Sequence, residues 1–433
     1  MIADMAFSLR STGEQAGYLL AVIAVLAFGA YEGVQREAIS LDLHWVIVRI
    51  VTIDAVAATV VFSVLVTVSG VMLAREVYSG RDPDERVLDG PPVAAILPAY
   101  QDANVIGESV ETLLASNYHN IEIAIVGEPN DEPTLSAARE YAEYPNVQVL
   151  VNGDPGSKAG AINDAVERLE ADYFAAFDVD ERIDPDFIPT AMYHLTEEGV
   201  DVFQARRVPR VTGPVEALAY CERLLLHAGY KLVEPLGFTY CRSSSSAFTR
   251  EAFETVDGLD KLLTEDIDFA HKCFRAGLSV RQSRNITNEM EASHDLGDLW
   301  GQRKRWRLGH IEVFFKAITG RYDRGGLRGK LSTLRIVSSL ATSVFLVALA
   351  AKVLVLLVLD LELFFLLPFV AIALTIVPVL AHDVRQGHVA ELTPALALVP
   401  LVYPGFGLLT IRCVFEYFLS WDGEWYQVDK VGA

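Results

Sequence analysis

The chain has 433 residues and a formal net charge of −21, yet 52% of its residues are hydrophobic and its mean hydropathy is +0.28. So apolar a chain, free of low-complexity tracts, is not disordered and is expected to keep part of itself in lipid, while its acidity has the wrong sign to replace counterions on nucleic acid. Cys221, Cys241, Cys273 and Cys413 form no CxxC pair, which argues against a disulfide framework and a structural zinc site.

From the N-terminus, residues 16–31 form an uncharged apolar run a little short of the ~20 residues of a spanning helix. A longer stretch, 45–74, follows, strongest from Ala55 onward and carrying Arg49 and Asp54 near its start. Two apolar stretches without a basic leader argue against a cleaved signal peptide. From about Arg75 to Lys330 the chain reads as water-soluble, and apolar runs return at 336–359, 361–381 and 394–419. Arg75, Arg81 and Arg86 on one side, with Arg321, Arg324, Arg328 and Lys330 on the other, place the central region in the cytoplasm. Pro404, Gly405, Gly407, Arg412 and Glu416 leave open whether the last run crosses the bilayer or lies along it.

Within the central region, 93–99, 121–127, 147–151 and 173–180 have strand character, separated by stretches with helical spacing. That alternation predicts βαβ units and a parallel sheet covered on both faces, with ligands beyond the carboxyl ends of the strands. The chain has only nine lysines among its basic residues. A lysine-poor, acidic surface fits a halophilic protein kept soluble in concentrated salt, or an ordinary acidic cytosolic one.

Three clusters bear chemistry. Asp178-Val179-Asp180 closes a predicted strand, and two carboxylates at i and i+2 suit Mg²⁺ or Mn²⁺ bridging a diphosphate, or form a plain acidic turn. Thr264-Glu265-Asp266 opens a helical stretch. Thr264 is a candidate cap with the acids at the helix's positive end, and Asp266 is a candidate general base for an attacking hydroxyl. On a helix just ahead of the membrane, Gln302, Arg305 and Trp306 share a face, offering an amide and a guanidinium to phosphate and an indole to a sugar ring. Arg303, Lys304 and Arg307 beside them are candidates for lipid headgroup contact. His294 is either a further metal ligand or a surface histidine.

Asp-x-Asp, Thr-Glu-Asp and Gln-x-x-Arg-Trp, in that order between membrane segments, resemble the processive family 2 glycosyltransferases, the group of cellulose, chitin and hyaluronan synthases. The resemblance implies an α/β, GT-A (Rossmann-like) cytoplasmic domain inserted between N- and C-terminal transmembrane helices. The corresponding divisions are 1–75, 76–298, 299–335 and 336–433. It further implies a nucleotide-sugar donor, usually UDP-linked, Mg²⁺ or Mn²⁺, and a polysaccharide or lipid-linked acceptor. By position, Tyr100 and Asp102 lie near the nucleoside, Glu128 is the candidate base contact, and Lys158 and Asp178 sit beside the nucleotide. By the same resemblance Asp180 is expected to bind the metal, and Asp266, next to Glu265, to be the base of an inverting transfer. The resemblance also implies that Gln302 and Arg305 hold the diphosphate and Trp306 the acceptor sugar. The sequence departs from the family at Gln101-Asp102, at Glu128-Pro129-Asn130 and at Arg242-Ser243-Ser244-Ser245-Ser246, whose hydroxyls either meet a sugar or turn the backbone. A transporter with a regulatory nucleotide-binding domain is the competing class, and it leaves Asp266 and Trp306 without a role.

Overall fold

The computed structural model describes residues 55–80, 84–322, 325–359, 363–389 and 399–419, together with Tyr426 and Lys430. The apolar run at 16–31, Arg49 and Asp54 lie outside them. Chain order begins with α1 (Ala55–Val77), β1 (Val93–Ala99), α2 (Ile106–Leu114), β2 (Ile121–Gly127), α3 (Glu132–Glu140), β3 (Val147–Val151) and α4 (Lys158–Arg168). It continues through β4 (Tyr173–Ala176), β5 (Glu181–Arg182), α5 (Phe187–Met192), β6 (Val202–Pro209), α6 (Pro214–Lys231), β7 (Ser246–Thr249) and α7 (Arg250–Thr255). Then come α8 (Glu265–Ala276), β8 (Val280–Met290), α9 (Leu296–Ile318), α10 (Gly326–Leu359), α11 (Leu367–Gln386) and α12 (Val399–Leu419).

β1 is apolar throughout because both faces of the sheet are covered. Its alternation splits it between two cores: Ala94 and Ile96 pack with Ile162 of α4 and Phe269 of α8, whereas Ala95 and Leu97 pack with Val110 of α2 and Phe187 of α5. Short polar caps start the helices on these faces. Ser157 Oγ accepts the Gly160 N–H at 3.0 Å ahead of α4, and Asp295 Oδ1 accepts the Asp298 N–H at 2.8 Å ahead of α9.

The eight strands lie in the order β3-β2-β1-β4-β7-β6-β8-β5. β1 to β4 are mutually parallel as the βαβ pattern predicts, but β7 runs antiparallel to both β4 and β6, so the sheet is mixed rather than wholly parallel. β7 enters the sheet after α6 and a loop rather than through another βαβ crossover, so nothing in its connection imposes parallel pairing. The strand predicted over 173–180 ends at Ala176. After Phe177 N–H bonds to Ile96 O at 3.1 Å, the chain turns, with Glu181 N–H reaching back to Asp178 O at 3.2 Å. The pairing of β4 with β1 stops at Ile96, so Pro98, which has no N–H to give, leaves no hydrogen bond to β4 unmade.

Two described helices are long and apolar enough to cross a membrane, Ala57–Val77 within α1 and Leu367–Gln386. One precedes the α/β domain and the other follows it. Thr375 Oγ1 donates to Val66 O at 2.9 Å, joining them directly. With basic residues at the inner ends of the apolar segments, the chain is a multi-pass membrane protein whose α/β domain faces the cytoplasm. The described part of the last apolar run, Val399–Leu419, is one helix through Pro404, Gly405 and Gly407. A Cβ at Gly407 would stand 2.2 Å from Ser343 O, so glycine here lets α12 press onto α10. α9 crosses residue 298 and α10 crosses residue 335, so continuous helices join the regions at those divisions.

Candidate active site

The turns after β1, β2 and β4, the start of α4, the start of α8 and one face of α9 enclose a cavity of about 560 Å³. Tyr100, Asp102, Glu128, Lys158, Asp178, Asp180, Glu265, Asp266, Gln302, Arg305 and Trp306 all line it. The three sequence clusters therefore meet in one place. Gly309 of α9 makes part of this possible, because a Cβ there would lie 2.5 Å from Thr264, so only glycine lets α9 close on the turn that carries Glu265 and Asp266.

The two aspartates after β4 converge through a turn, not through strand alternation, and they have different partners. Asp178 is ion-paired to Lys158 and, at 2.6 Å, to Arg207 of β6. Burial pushes its pKa up, but Lys158 and Arg207 outweigh burial and hold the carboxyl well below its ordinary range. Asp180 Oδ2 accepts the Glu291 N–H at 3.3 Å, and its Oδ1 lies 3.6 Å from the Lys430 ammonium. Lys430 also bonds to Asp102 at 2.7 Å. Burial lowers the pKa of that ammonium, yet Asp180 and Asp102 more than compensate and raise it. The turn after β1 is strained: Gln101 has φ 56°, held there by its N–H bond to Asp131. Both Glu128 oxygens are engaged within the protein, by Asn152 Nδ2 at 2.6 Å and by the Gly156 N–H at 2.9 Å.

The serine run holds the charged residues of the site in place. Ser243 donates to Glu265 at 2.7 Å, Ser244 accepts from Arg207 at 2.7 Å, and Ser245 bonds to Glu181. Burial raises the Glu181 pKa to about 7 despite Arg207 beside it. Thr264 precedes α8 but its side chain does not cap it; Thr264 Oγ1 is buried with no hydrogen-bond partner among the described residues. The approach of α9 at Gly309 covers the hydroxyl, which explains the departure from the expected cap. Asp266 Oδ2 accepts from the Tyr240 hydroxyl at 3.4 Å. The Trp306 indole has the guanidinium of Arg303 4.1 Å and that of Arg223 5.3 Å from its ring centre.

Arg303 is not a headgroup contact. It is buried and paired with Glu222 at 2.6 Å, because the α9 face that bears it packs against α6. Lys304 pairs with Glu416 of α12. Sequence inspection missed Arg207, Arg223 and Lys430. Two adjacent arginines in the otherwise strand-like VFQARRVP were a signal for the first, since buried guanidiniums need partners. Arg223 Nε is buried without a hydrogen-bond partner among the described residues and Arg223 lines the cavity, an arrangement that favours an anionic ligand.

His294 is neither exposed nor a lone side chain. Its Nδ1 lies 2.8 Å from Glu216 and its Nε2 lies 2.7 Å from Glu291, a residue of the cavity wall. Burial lowers its pKa, but hydrogen bonds to Glu291 and Glu216 prevail and raise it above 6.5. A raised folded value means that the bridge stabilises fully below the unfolded pKa and loses its effect as pH rises through the folded one. His294→Gln is therefore expected to lower the thermal midpoint at about pH 6, with the difference from wild type closing by about pH 9. Thermal unfolding of both proteins across that range checks this, and a constant difference would contradict it.

Residues 94–257 match the family described as Glycosyl transferase family 2. That stretch of the α/β domain is thus similar to family 2 glycosyltransferases. Among curated proteins, the Poly-beta-1,6-N-acetyl-D-glucosamine synthase of Staphylococcus aureus is 22% identical over 248 residues, covering 54% of this chain and 58% of that one. The Beta-monoglucosyldiacylglycerol synthase of Synechocystis is 24% identical over 247 residues, covering 53% and 50%. The chain thus spans about half the length of these curated relatives. Among solved structures, the mannosyltransferase PcManGT from Pyrobaculum calidifontis, determined with GDP-Man and Mn²⁺, superposes with a TM-score of 0.53 at 18% identity, over 86% of this chain and 99% of that one. At that identity the likeness shows the fold: a GT-A domain with flanking membrane-length helices.

Proposed function

We propose that the chain is a membrane-embedded inverting glycosyltransferase that moves a sugar from a nucleoside-diphosphate donor, UDP-linked by the family resemblance, onto a hydroxyl of a glycan acceptor at the bilayer. The acceptor is a growing polysaccharide, with export coupled to elongation, or a lipid-linked sugar. The observation that carries this proposal is the single cavity lined by the acids after β4, by Asp266 and by Gln302, Arg305 and Trp306.

In this proposal Asp266 takes the proton of the attacking hydroxyl, and the Tyr240 hydroxyl orients its carboxylate. Trp306 gives the acceptor ring a flat apolar surface, held by Arg303 and Arg223. Arg305, Gln302 and Lys158 face the leaving diphosphate, and Tyr100, Asp102 and Glu128 line the nucleoside end. Asp178 is a positioning residue, since Lys158 and Arg207 already occupy its carboxylate. Asp102 and Asp180 converge on one point of the cavity, where the Lys430 ammonium lies between them, and oxygen ligands placed so would suit a hard divalent cation in place of that ammonium. Among the described residues there is no group of three or more His, Cys, Asp or Glu that could hold a metal ion, and Asp180 is the residue that would hold Mg²⁺ or Mn²⁺ with the donor bound. Such an ion neutralises charge on the leaving group when bound.

The test is incubation of the purified, detergent-solubilised protein with radiolabelled UDP- and GDP-hexoses, each with Mg²⁺ or Mn²⁺, followed by product sizing. Metal-dependent donor turnover is expected. Long product identifies polymerisation, and a single added sugar identifies transfer to a lipid-linked acceptor. Absence of turnover with every donor and both metals would overturn the proposal.

A further inference from the structure

Neighbouring residues of α6, α8 and α9 line a second cavity, of about 510 Å³, which α10 completes. Its walls are largely hydrocarbon. Leu331 and Leu334 on its α10 side are 41% and 60% exposed, just where that helix enters the apolar run at 336–359, so the cavity opens toward the bilayer. Arg307 and Arg335 also line it. Arg307 donates to the Ser343 hydroxyl at 3.1 Å, and the Arg335 guanidinium lies 4.0 Å from the centre of the Phe238 ring. Among the described residues neither has a carboxylate within ion-pair distance. Glu222, the carboxylate on the lining, is already held by Arg303 at 2.6 Å.

Two guanidiniums at an apolar wall without counter-ions are costly unless an anion joins them. Burial, then the charges of Arg307 and Arg335, push the His310 imidazole down to about 3, so both guanidiniums act on the same part of the cavity. At another point of the lining stands Tyr240, stacked on Tyr230 at 4.4 Å and bonded through its hydroxyl to Asp266. The cavity is therefore separated from the proposed base by one side chain.

We propose that this cavity holds the anchor of the acceptor, a lipid phosphate, with its hydrocarbon chain along the apolar wall, its phosphate on Arg307 and Arg335, and its sugar reaching past Tyr240 to Asp266. The planar forks of the two arginines suit phosphate oxygens, and the open side toward the bilayer suits a chain that never leaves it. This rests on the transferase proposal above and names its acceptor class. In the transfer, the acceptor hydroxyl oxygen bonds to the anomeric carbon and its proton goes to Asp266. The bond from that carbon to the diphosphate breaks, and its electron pair leaves with the diphosphate.

The experiment measures binding of radiolabelled farnesyl phosphate to the full-length solubilised protein, with farnesol and inorganic phosphate as competitors and donor hydrolysis to water read in parallel. Farnesyl phosphate is expected to bind at least about tenfold more tightly than farnesol, with inorganic phosphate unable to displace it. Arg335→Gln is expected to weaken that binding about tenfold, Arg335→Lys to recover part of it, and both to hydrolyse donor at the wild-type rate. Farnesol binding equally well, full displacement by inorganic phosphate, or an Arg335→Gln variant that binds within about twofold of wild type would each overturn the assignment. A wild-type protein that hydrolyses donor but does not bind farnesyl phosphate sinks the lipid site and leaves the transferase standing. One that binds farnesyl phosphate but turns over no donor does the reverse.

Discussion

Asp266→Asn is expected to lower sugar-transfer kcat by about 10²–10⁴-fold, the usual contribution of a positioned general base. The substitution keeps the side chain's shape. Its one oxygen can still accept the Ile267 N–H, which now reaches Asp266 Oδ1 at 2.8 Å, while its amide NH2 takes the place of Oδ2 and can donate to the Tyr240 hydroxyl oxygen, now 3.4 Å away. It removes the charge and the ability to accept a proton, and reverses the direction of the bond with Tyr240. Donor affinity should therefore change by less than about twofold, because the side chains assigned to the diphosphate sit on α4 and α9 rather than at Asp266. Steady-state kinetics and a donor titration separate the two quantities. A kcat within about threefold of wild type would remove Asp266 from the chemistry. A joint collapse of kcat and donor binding would instead assign Asp266 to holding the nucleotide. The transporter alternative predicts no change in its function, so the same variant also decides between the two classes.

The sequence made the first half of the sheet legible because β1 is apolar throughout and β2 and β3 are apolar runs each broken by a single polar residue, Glu122 and Gln148, between polar turns. β7 was not legible. It is only four residues long, and its antiparallel place between β4 and β6 depends on strands distant in the chain. The site divides in the same way. Gln302, Arg305 and Trp306 could be assigned to one face from helical spacing, and all three line the cavity. The geometry of Asp178 and Asp180 could not be read from spacing, since the strand stops at Ala176 and a turn directs each carboxylate to a different cation. Lys430 escaped notice because it meets Asp102 and Asp180 only in the fold, across a separation of hundreds of residues. The serines at 243–245 admitted two explanations from sequence. In the fold they do something neither explanation named: their hydroxyls bond to the side chains of Glu265, Arg207 and Glu181.

A second large effect is expected where the catalytic sheet meets the membrane. Successive side chains of a strand point to opposite faces, and β6 uses this with Arg206 and Arg207. Arg207 reaches Asp178 and Glu181 at the cavity, at 2.6 Å and 3.1 Å. Arg206 reaches Asp383 in the last turn of α11, with Nη1 2.8 Å from Oδ1 and a second bond from Nη2 to Oδ2. Arg206 is 1% exposed and Asp383 is fully buried, and the Tyr220 hydroxyl of α6 donates to the same carboxylate at 2.5 Å. Removing one partner of a buried pair leaves the other charge without water or counter-ion. Asp383→Ala is accordingly expected to cost about 3–5 kcal/mol of stability, read as a fall in thermal midpoint of the solubilised protein. Replacing both partners with apolar side chains, as in Arg206→Met with Asp383→Leu, should recover most of that loss, because the desolvation cost disappears with the charges. If the double variant keeps its fold but loses transfer activity, the pair holds β6, and through it Arg207 and Asp178, in register with the membrane helices. A single Asp383→Ala variant with an unchanged midpoint would show that Arg206 finds water or another partner, and that the sheet does not depend on this link to α11.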